Sequence, residues 1–123
     1  MDSAPEVGGQ NQGVRPMELT LIALGGCTGI DVVSILNKMR IVVEEFKMDM
    51  DGTRAPEHPK IYRTIQLNYR FKADEAAADK ILRAVHLSQE KYCSVSAMLG
   101  AVAVIEANIY LNGQLLETLQ SHS

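Results

Sequence analysis

The sequence predicts an α+β fold in which one long central helix packs against an antiparallel sheet. Three observations carry that expectation. From Met17 to Met39 the apolar residues recur with helical spacing and cover most faces of the cylinder. From Ile61 to Phe71 apolar and polar residues alternate, as in a half-buried strand. Asn112-Gly113 is a strong two-residue hairpin signal between two further strand-like runs.

Residues 1–15, rich in Gly, Gln and Asn and without periodicity, read as a flexible lead-in. Residues 16–123 then form a single domain. Pro16 suits a first helical turn, where its missing N–H costs nothing, and Lys38 and Arg40 suit the helix end. An apolar pattern on most faces predicts a helix buried all round. Gly25, Gly26 and Gly29 inside it cost about 1 kcal/mol each relative to alanine. Gly25 and Gly29 share a face, and close approach of a second copy of the same helix is the expected compensation, with packing inside the chain as the alternative.

A strand over Ile41–Met50, with Val42, Phe46, Met48 and Met50 on one face, pairs with Ile61–Phe71 as an antiparallel hairpin. The Gly52–Lys60 stretch is its exposed connection. In the second strand Ile61, Ile65, Leu67, Tyr69 and Phe71 point inward, while Tyr62, Thr64, Gln66, Asn68 and Arg70 point outward. Asp74 caps a helix running to about Tyr92, with Ala77, Ile81, Ala84, Val85 and Ser88 on one stripe. Ser94 or Ser96 caps a short helix ending near Gly100. Ala101–Leu111 and Gln114–Leu119 complete an α-β-β-α-α-β-β order.

At 123 residues and 46% hydrophobic, the chain is one domain with a real core. A net charge of −3 offers no basic stripe, so no nucleic-acid partner is expected. Two cysteines in this length do not make a secreted disulfide framework, and no signal-peptide pattern opens the chain, so the expected compartment is the cytoplasm. Leu19–Leu36 reaches the minimum length of a membrane span but carries Asp31, Ser34 and three glycines. A core helix is the expectation.

The two thiols are the chemical signal. Cys27 sits among Gly25, Gly26 and Gly29, where a substrate or another backbone can approach closely. Cys93 opens Cys93-Ser94-Val95-Ser96 at a helix start, where backbone charge favours thiolate. Together they suggest a redox pair; the plainer alternative is two small buried hydrophobes. His58, His86 and His122 show no metal spacing with the cysteines, so no metal is expected. Asp31, in an apolar helix, needs a hydrogen-bonding partner and is expected to find it at a helix end or an interface. Tyr92, beside Cys93, either lines a substrate pocket or simply packs.

Pro16-Met17-Glu18-Leu19, Ala23-Leu24-Gly25-Gly26-Cys27 and Glu90-Lys91-Tyr92-Cys93-Ser94-Val95-Ser96 resemble, in order and spacing, the OsmC/Ohr family (osmotically inducible protein C and the organic hydroperoxide resistance proteins). The Gly-Gly-Cys run continuing to Leu36 and the run Ala84–Cys93 are most similar to its YhfA-like branch. The resemblance implies an intertwined homodimer with its active sites at the interface. It implies a thiol peroxidase: Cys27 attacks an organic hydroperoxide, Cys93 resolves the sulfenic acid as a disulfide, and an external dithiol restores both. No cofactor is implied. In the family a glutamate directly follows the proline; here Met17 intervenes and Glu18 is the counterpart. On an unbroken helix Glu18 stands about 13 Å along the axis from Cys27, so it serves its own thiol only if the helix breaks, or else a partner's. The family's N-terminal hairpin supplies an arginine to the attacking thiol, and here Arg15 is the nearest basic group in sequence. The rival reading is a dimer whose cleft binds a small apolar or sulfur-containing ligand with little turnover.

Overall fold

Helix α1 runs unbroken over Pro16–Lys38, with the Arg15 N–H donating to Glu18 Oε1 at 2.9 Å across its first turn. It ends where Arg40 turns left-handed at φ 60°. The structure, a computed structural model, describes residues 1–121; His122 lies outside the described residues. The remaining elements are β1 (Glu45–Arg54), β2 (Tyr62–Lys72), α2 (Ala78–Leu87), α3 (Ser94–Leu99), β3 (Val104–Leu111) and β4 (Gln114–Gln120).

The sheet is mixed, not wholly antiparallel. Its order is β1-β2-β3-β4, with antiparallel outer pairs and a parallel β2–β3 pair at the centre. The connection from β2 to β3 carries α2 and α3, and a crossover of that length returns the chain in its original direction. The core forms between one face of this sheet and the two longer helices. Ile65, Leu67, Tyr69 and Phe71 of β2 and Ile105, Ala107, Ile109 and Leu111 of β3 meet Leu24, Val32 and Leu36 of α1 and Ile81, Ala84 and Val85 of α2. Phe46 of β1 stacks on Phe71 with ring centroids 4.7 Å apart. The stripe Ala77, Ile81, Ala84, Val85 and Ser88 is buried as its spacing requires. Asp74 accepts the Ala76 N–H at 2.8 Å ahead of it.

Three elements differ from expectation for local reasons. The strand expected to open at Ile41 begins at Glu45, and Val42 is 82% exposed. Tyr62 is buried because the β1–β2 register shifts between Thr53 and Arg54, which turns its ring inward over Gly52. A Cβ at Gly52 would stand 2.5 Å from that ring. The lead-in is organised around Asp2, whose carboxylate accepts the N–H groups of Ser3, Gln10 and Gln12 at 2.8–3.1 Å. The turn from β3 to β4 is as expected, with Asn112 and Gly113 both at positive φ.

Helix α1 is not buried all round within the chain. Leu24, Thr28, Val32 and Leu36, each four residues apart, form its inner line, whereas Leu19, Ile22, Ile30 and Val33 are exposed. The two layers cover only one side of the cylinder. Gly25 lies under Met50, where a Cβ would come 2.6 Å from Sδ, and Gly29 faces Met48. The close approach these glycines permit is therefore to β1 of the same chain. Gly26 meets no side chain and sits in the middle of the exposed apolar stripe. By length and composition alone α1 is apolar enough to cross a membrane, but its inner line is part of the protein core.

Candidate thiol site

Cys27 lies in the middle of α1, and Asp31, four residues on, shares its face. Cys93 reaches the same place from the other side of the chain. One turn of wider, π-type helix over Ser88–Tyr92 carries α2 into Cys93, whose N–H donates to Ser88 O at 2.8 Å. Such a turn adds a residue to the helical count and re-aims the chain beyond it, a device common at functional sites. As a result, Cys27 Sγ, Cys93 Sγ and an Asp31 carboxylate oxygen all lie within 4.8 Å of one another. Cys27 is half-buried and Cys93 is buried behind it.

Cys93, rather than Ser94 or Ser96, caps α3: its Sγ accepts the Ser96 N–H at 3.4 Å. That contact does not make Cys93 a ready thiolate. Burial pushes its thiol up, and neighbouring Cys27 adds to the effect, while the N–H that Ser96 donates to the sulfur pulls the other way. Ser96 Oγ is itself buried without a hydrogen-bond partner among the described residues.

A line of buried hydroxyls ends on Asp31. Ser88 Oγ–H donates to Asp31 Oδ2 at 3.1 Å. That commits its only proton, so Thr28, 2.7 Å away, donates to Ser88. Tyr69 OH in turn donates to Thr28 at 2.7 Å. The Gln89 amide donates to both Thr28 Oγ1, at 3.2 Å, and Tyr69 OH, at 2.6 Å. Every hydroxyl thus has a donor role aimed along one direction, Tyr69 to Thr28 to Ser88 to the carboxylate. Burial pushes the Tyr69 phenol far above its ordinary range, so it remains a donor.

Arg15, Arg63 and Arg70 make their contacts elsewhere or face solvent. Arg15 stands at the start of α1, about 18 Å along the axis from Cys27, and its guanidinium donates to Asn11 Oδ1 at 3.3 Å. Arg70 pairs with Asp49 at 2.8 Å and lies over the Tyr110 ring, while Arg63 is exposed. Glu18 is held in the cap of its own unbroken helix, which closes the option of serving the thiol of its own chain. His86 lies between Glu117 and Glu90, at 2.8 and 3.4 Å. A cavity of about 360 Å³ opens beside Asp31, lined also by Ser34, Ile35, Lys38, Met39, Leu87 and Tyr92. Tyr92 therefore lines a pocket instead of closing a core.

Sequence reasoning brought the two cysteines together but left Asp31 to a structural hydrogen bond and overlooked Thr28, Tyr69, Ser88 and Gln89. The available signal was the i, i+4 placement of a carboxylate against Cys27 on an apolar helix. Nothing in the sequence marks the π-type turn.

Residues 9–108 match the family described as OsmC-like protein. The chain is 43% identical over 84 residues to protein YhfA of Escherichia coli K12, an alignment covering 68% of this chain and 63% of the relative. Among solved structures it is similar to a hypothetical protein of Aquifex aeolicus VF5, with TM-score 0.75 and 38% identity over 83% of this chain and 76% of that one. It also shares its fold with an organic hydroperoxide resistance protein OsmC from Legionella pneumophila, with TM-score 0.65 and 14% identity over 89% and 78% of the two chains. With the family match spanning most of its length and the fold agreeing with these structures, the chain belongs to the OsmC-like protein family.

Proposed function

We propose that the protein is a thiol-dependent peroxidase that reduces organic hydroperoxides through Cys27 and Cys93. The observation that carries this reading is the convergence of the two sulfurs, within 4.8 Å, from elements far apart in sequence. Cys27, the more exposed, attacks the O–O bond and becomes a sulfenic acid while the substrate leaves as an alcohol. Cys93–SH, buried behind it, condenses with the sulfenic acid, forming the S–S bond and releasing water. An external dithiol reduces the disulfide and is itself oxidised. The name of the Legionella protein supports the substrate class. The cavity beside Asp31, where Ile35, Met39, Leu87 and Tyr92 supply most of the wall, suits an alkyl group.

The working unit in this reading is a cytoplasmic homodimer. Leu19, Ile22, Gly26, Ile30 and Val33 recur at three- and four-residue spacing along the exposed side of α1, a surface suited to a second copy of that helix. Any role for Glu18 belongs to a partner's site. Arg15 is held by Asn11, Arg70 by Asp49, and Arg63 is exposed, so none of the three is engaged with the thiols, which favours slow turnover. That observation supports the second reading, a cleft that binds a small apolar or sulfur-containing ligand.

One equivalent of an alkyl hydroperoxide added to the reduced protein tests the proposal. The expected result is loss of both thiols and an intrachain Cys27–Cys93 disulfide, found by peptide mass mapping. Thiols that survive the treatment would leave ligand binding as the function.

A further inference from the structure

We propose that the reduced site binds a thiophilic divalent cation of the zinc class through Cys27 Sγ, Cys93 Sγ and one Asp31 carboxylate oxygen. The geometry supplies the first argument. Zn–S bonds of about 2.3 Å in a tetrahedron set the two sulfurs about 3.8 Å apart. The three donor atoms already lie within 4.8 Å of one another, so side-chain rotations of about 1 Å complete the set. The fourth position falls to water, the pattern of open zinc sites.

Charge supplies the second argument. Two thiolates beside a carboxylate repel one another, and a peroxidatic cysteine is better served by a cation in Asp31's place. A divalent ion removes the conflict, because each thiol gives up its proton to solvent and the three negative donors face +2. The surroundings are also those of a ligand set. Ser88 Oγ–H orients the carboxylate at 3.1 Å and is itself fixed by Thr28. Buried hydroxyls that hold a ligand carboxylate in this way raise metal affinity. On the other side the Ser96 N–H points at Cys93 Sγ, and the buried Ser96 Oγ, unpartnered among the described residues, lies on the same turn. His58 and His86 do not enter the cluster; the third ligand is the carboxylate four residues after the first cysteine. A disulfide between the cysteines removes two of the three donors, so ion binding and the oxidised state exclude one another. This inference does not rest on the peroxidase reading, since a chain that never turns over hydroperoxide still holds these three donors.

Reduced, metal-free protein titrated anaerobically with Cd²⁺ or Co²⁺ should develop thiolate-to-metal charge-transfer absorption that saturates at one ion per chain. Zn²⁺ should displace Co²⁺. Cys27→Ser or Cys93→Ser should abolish the two-thiolate band. Asp31→Asn should weaken Zn²⁺ binding, measured against a chromophoric chelator, by about 10- to 100-fold or more, while Asp31→His, which substitutes another zinc ligand, should bind more tightly than the Asn variant. Absence of the band in the unmodified protein at stoichiometric ion overturns the proposal, and that readout depends on no variant's folding. Equal affinity in Asp31→Asn and the unmodified chain overturns the three-donor site.

Discussion

The Ser88 hydroxyl donates to Asp31 Oδ2 at 3.1 Å, joining the π-type turn before Cys93 to the helix that carries Cys27. Two segments distant in sequence are thereby locked at the point where the thiols meet. The contact is the last of three hydroxyl-to-oxygen bonds that begin at Tyr69 in the sheet. All three layers of the site, sheet, α1 and the α2–α3 junction, are therefore tied by one buried polar line. Such a line stabilises only when complete, because each unsatisfied member keeps its desolvation cost.

That condition makes Thr28 the most sensitive member. Thr28→Val keeps the shape but removes the oxygen that accepts from Tyr69 and Gln89 and donates to Ser88. A loss of about 1–3 kcal/mol in unfolding free energy is expected, read from urea denaturation. Thr28→Ser, which keeps the hydroxyl, should lose clearly less. Equal losses would mean that packing, not the polar line, sets the cost.

His86 gives stability a defined pH dependence. The Glu117 carboxylate beside it holds its pKa above the ordinary value near 6.5, with Glu90 acting in the same direction against partial burial. A raised folded-state pKa means stabilisation that is fully present below the unfolded value and is lost as pH rises through the folded one. The unmodified protein should therefore lose, on going from about pH 6 to above the folded pKa, a contribution that His86→Gln never has. The difference in denaturation midpoint between the two should narrow across that window. A gap independent of pH would show that the imidazole acts by packing alone.

Assembly is tested at the centre of the exposed stripe. The side chain of Gly26→Leu finds open space in its own chain but blocks close approach of a second helix, and Ile30→Glu places a charge in the same surface. Both variants should sediment as monomers where the unmodified chain sediments at twice its mass. Gly25→Leu is the contrasting case: it strikes Met50 inside the chain and should lower thermal stability. An unmodified chain that sediments as a monomer would remove the shared-site arrangement.

Much of this was legible in the sequence, and the gaps have physical causes. The period-2 pattern of Ile65–Phe71 and the Asn112-Gly113 turn report local backbone preference, and both appear as expected. The Ala77–Ser88 stripe likewise reports one amphipathic face. The parallel pairing of β2 with β3 is a property of the crossover, which hydropathy does not encode. The exposed side of α1 reads the same as a core face, because apolar periodicity says that a surface avoids water without saying which chain covers it. Cys27 and Cys93 were recognisable as a pair from their motifs. Asp31 was not assigned to them, since its partner Ser88 sits on a turn whose extra residue no propensity marks.

Asp31 also separates the two chemistries open to the thiols. Its carboxylate lies within 4.8 Å of both sulfurs, and two unit charges at about 4 Å near a protein surface repel by up to about 4 kcal/mol. The species that attacks a hydroperoxide is the Cys27 thiolate, whose formation places a negative charge in that field. In metal-free protein, Asp31→Asn should therefore speed the loss of the Cys27 thiol to an alkyl hydroperoxide by about tenfold, well under the factor the full repulsion allows. The same substitution weakens ion binding, so one change moves the two properties in opposite directions. Stopped-flow oxidation in the presence of a strong chelator gives the first rate, and the Cys93→Ser background isolates the attack step from disulfide closure. If Asp31→Asn slows the oxidation, the carboxylate assists the attack as a proton acceptor or by orienting the substrate, and its like-charge effect is the smaller one.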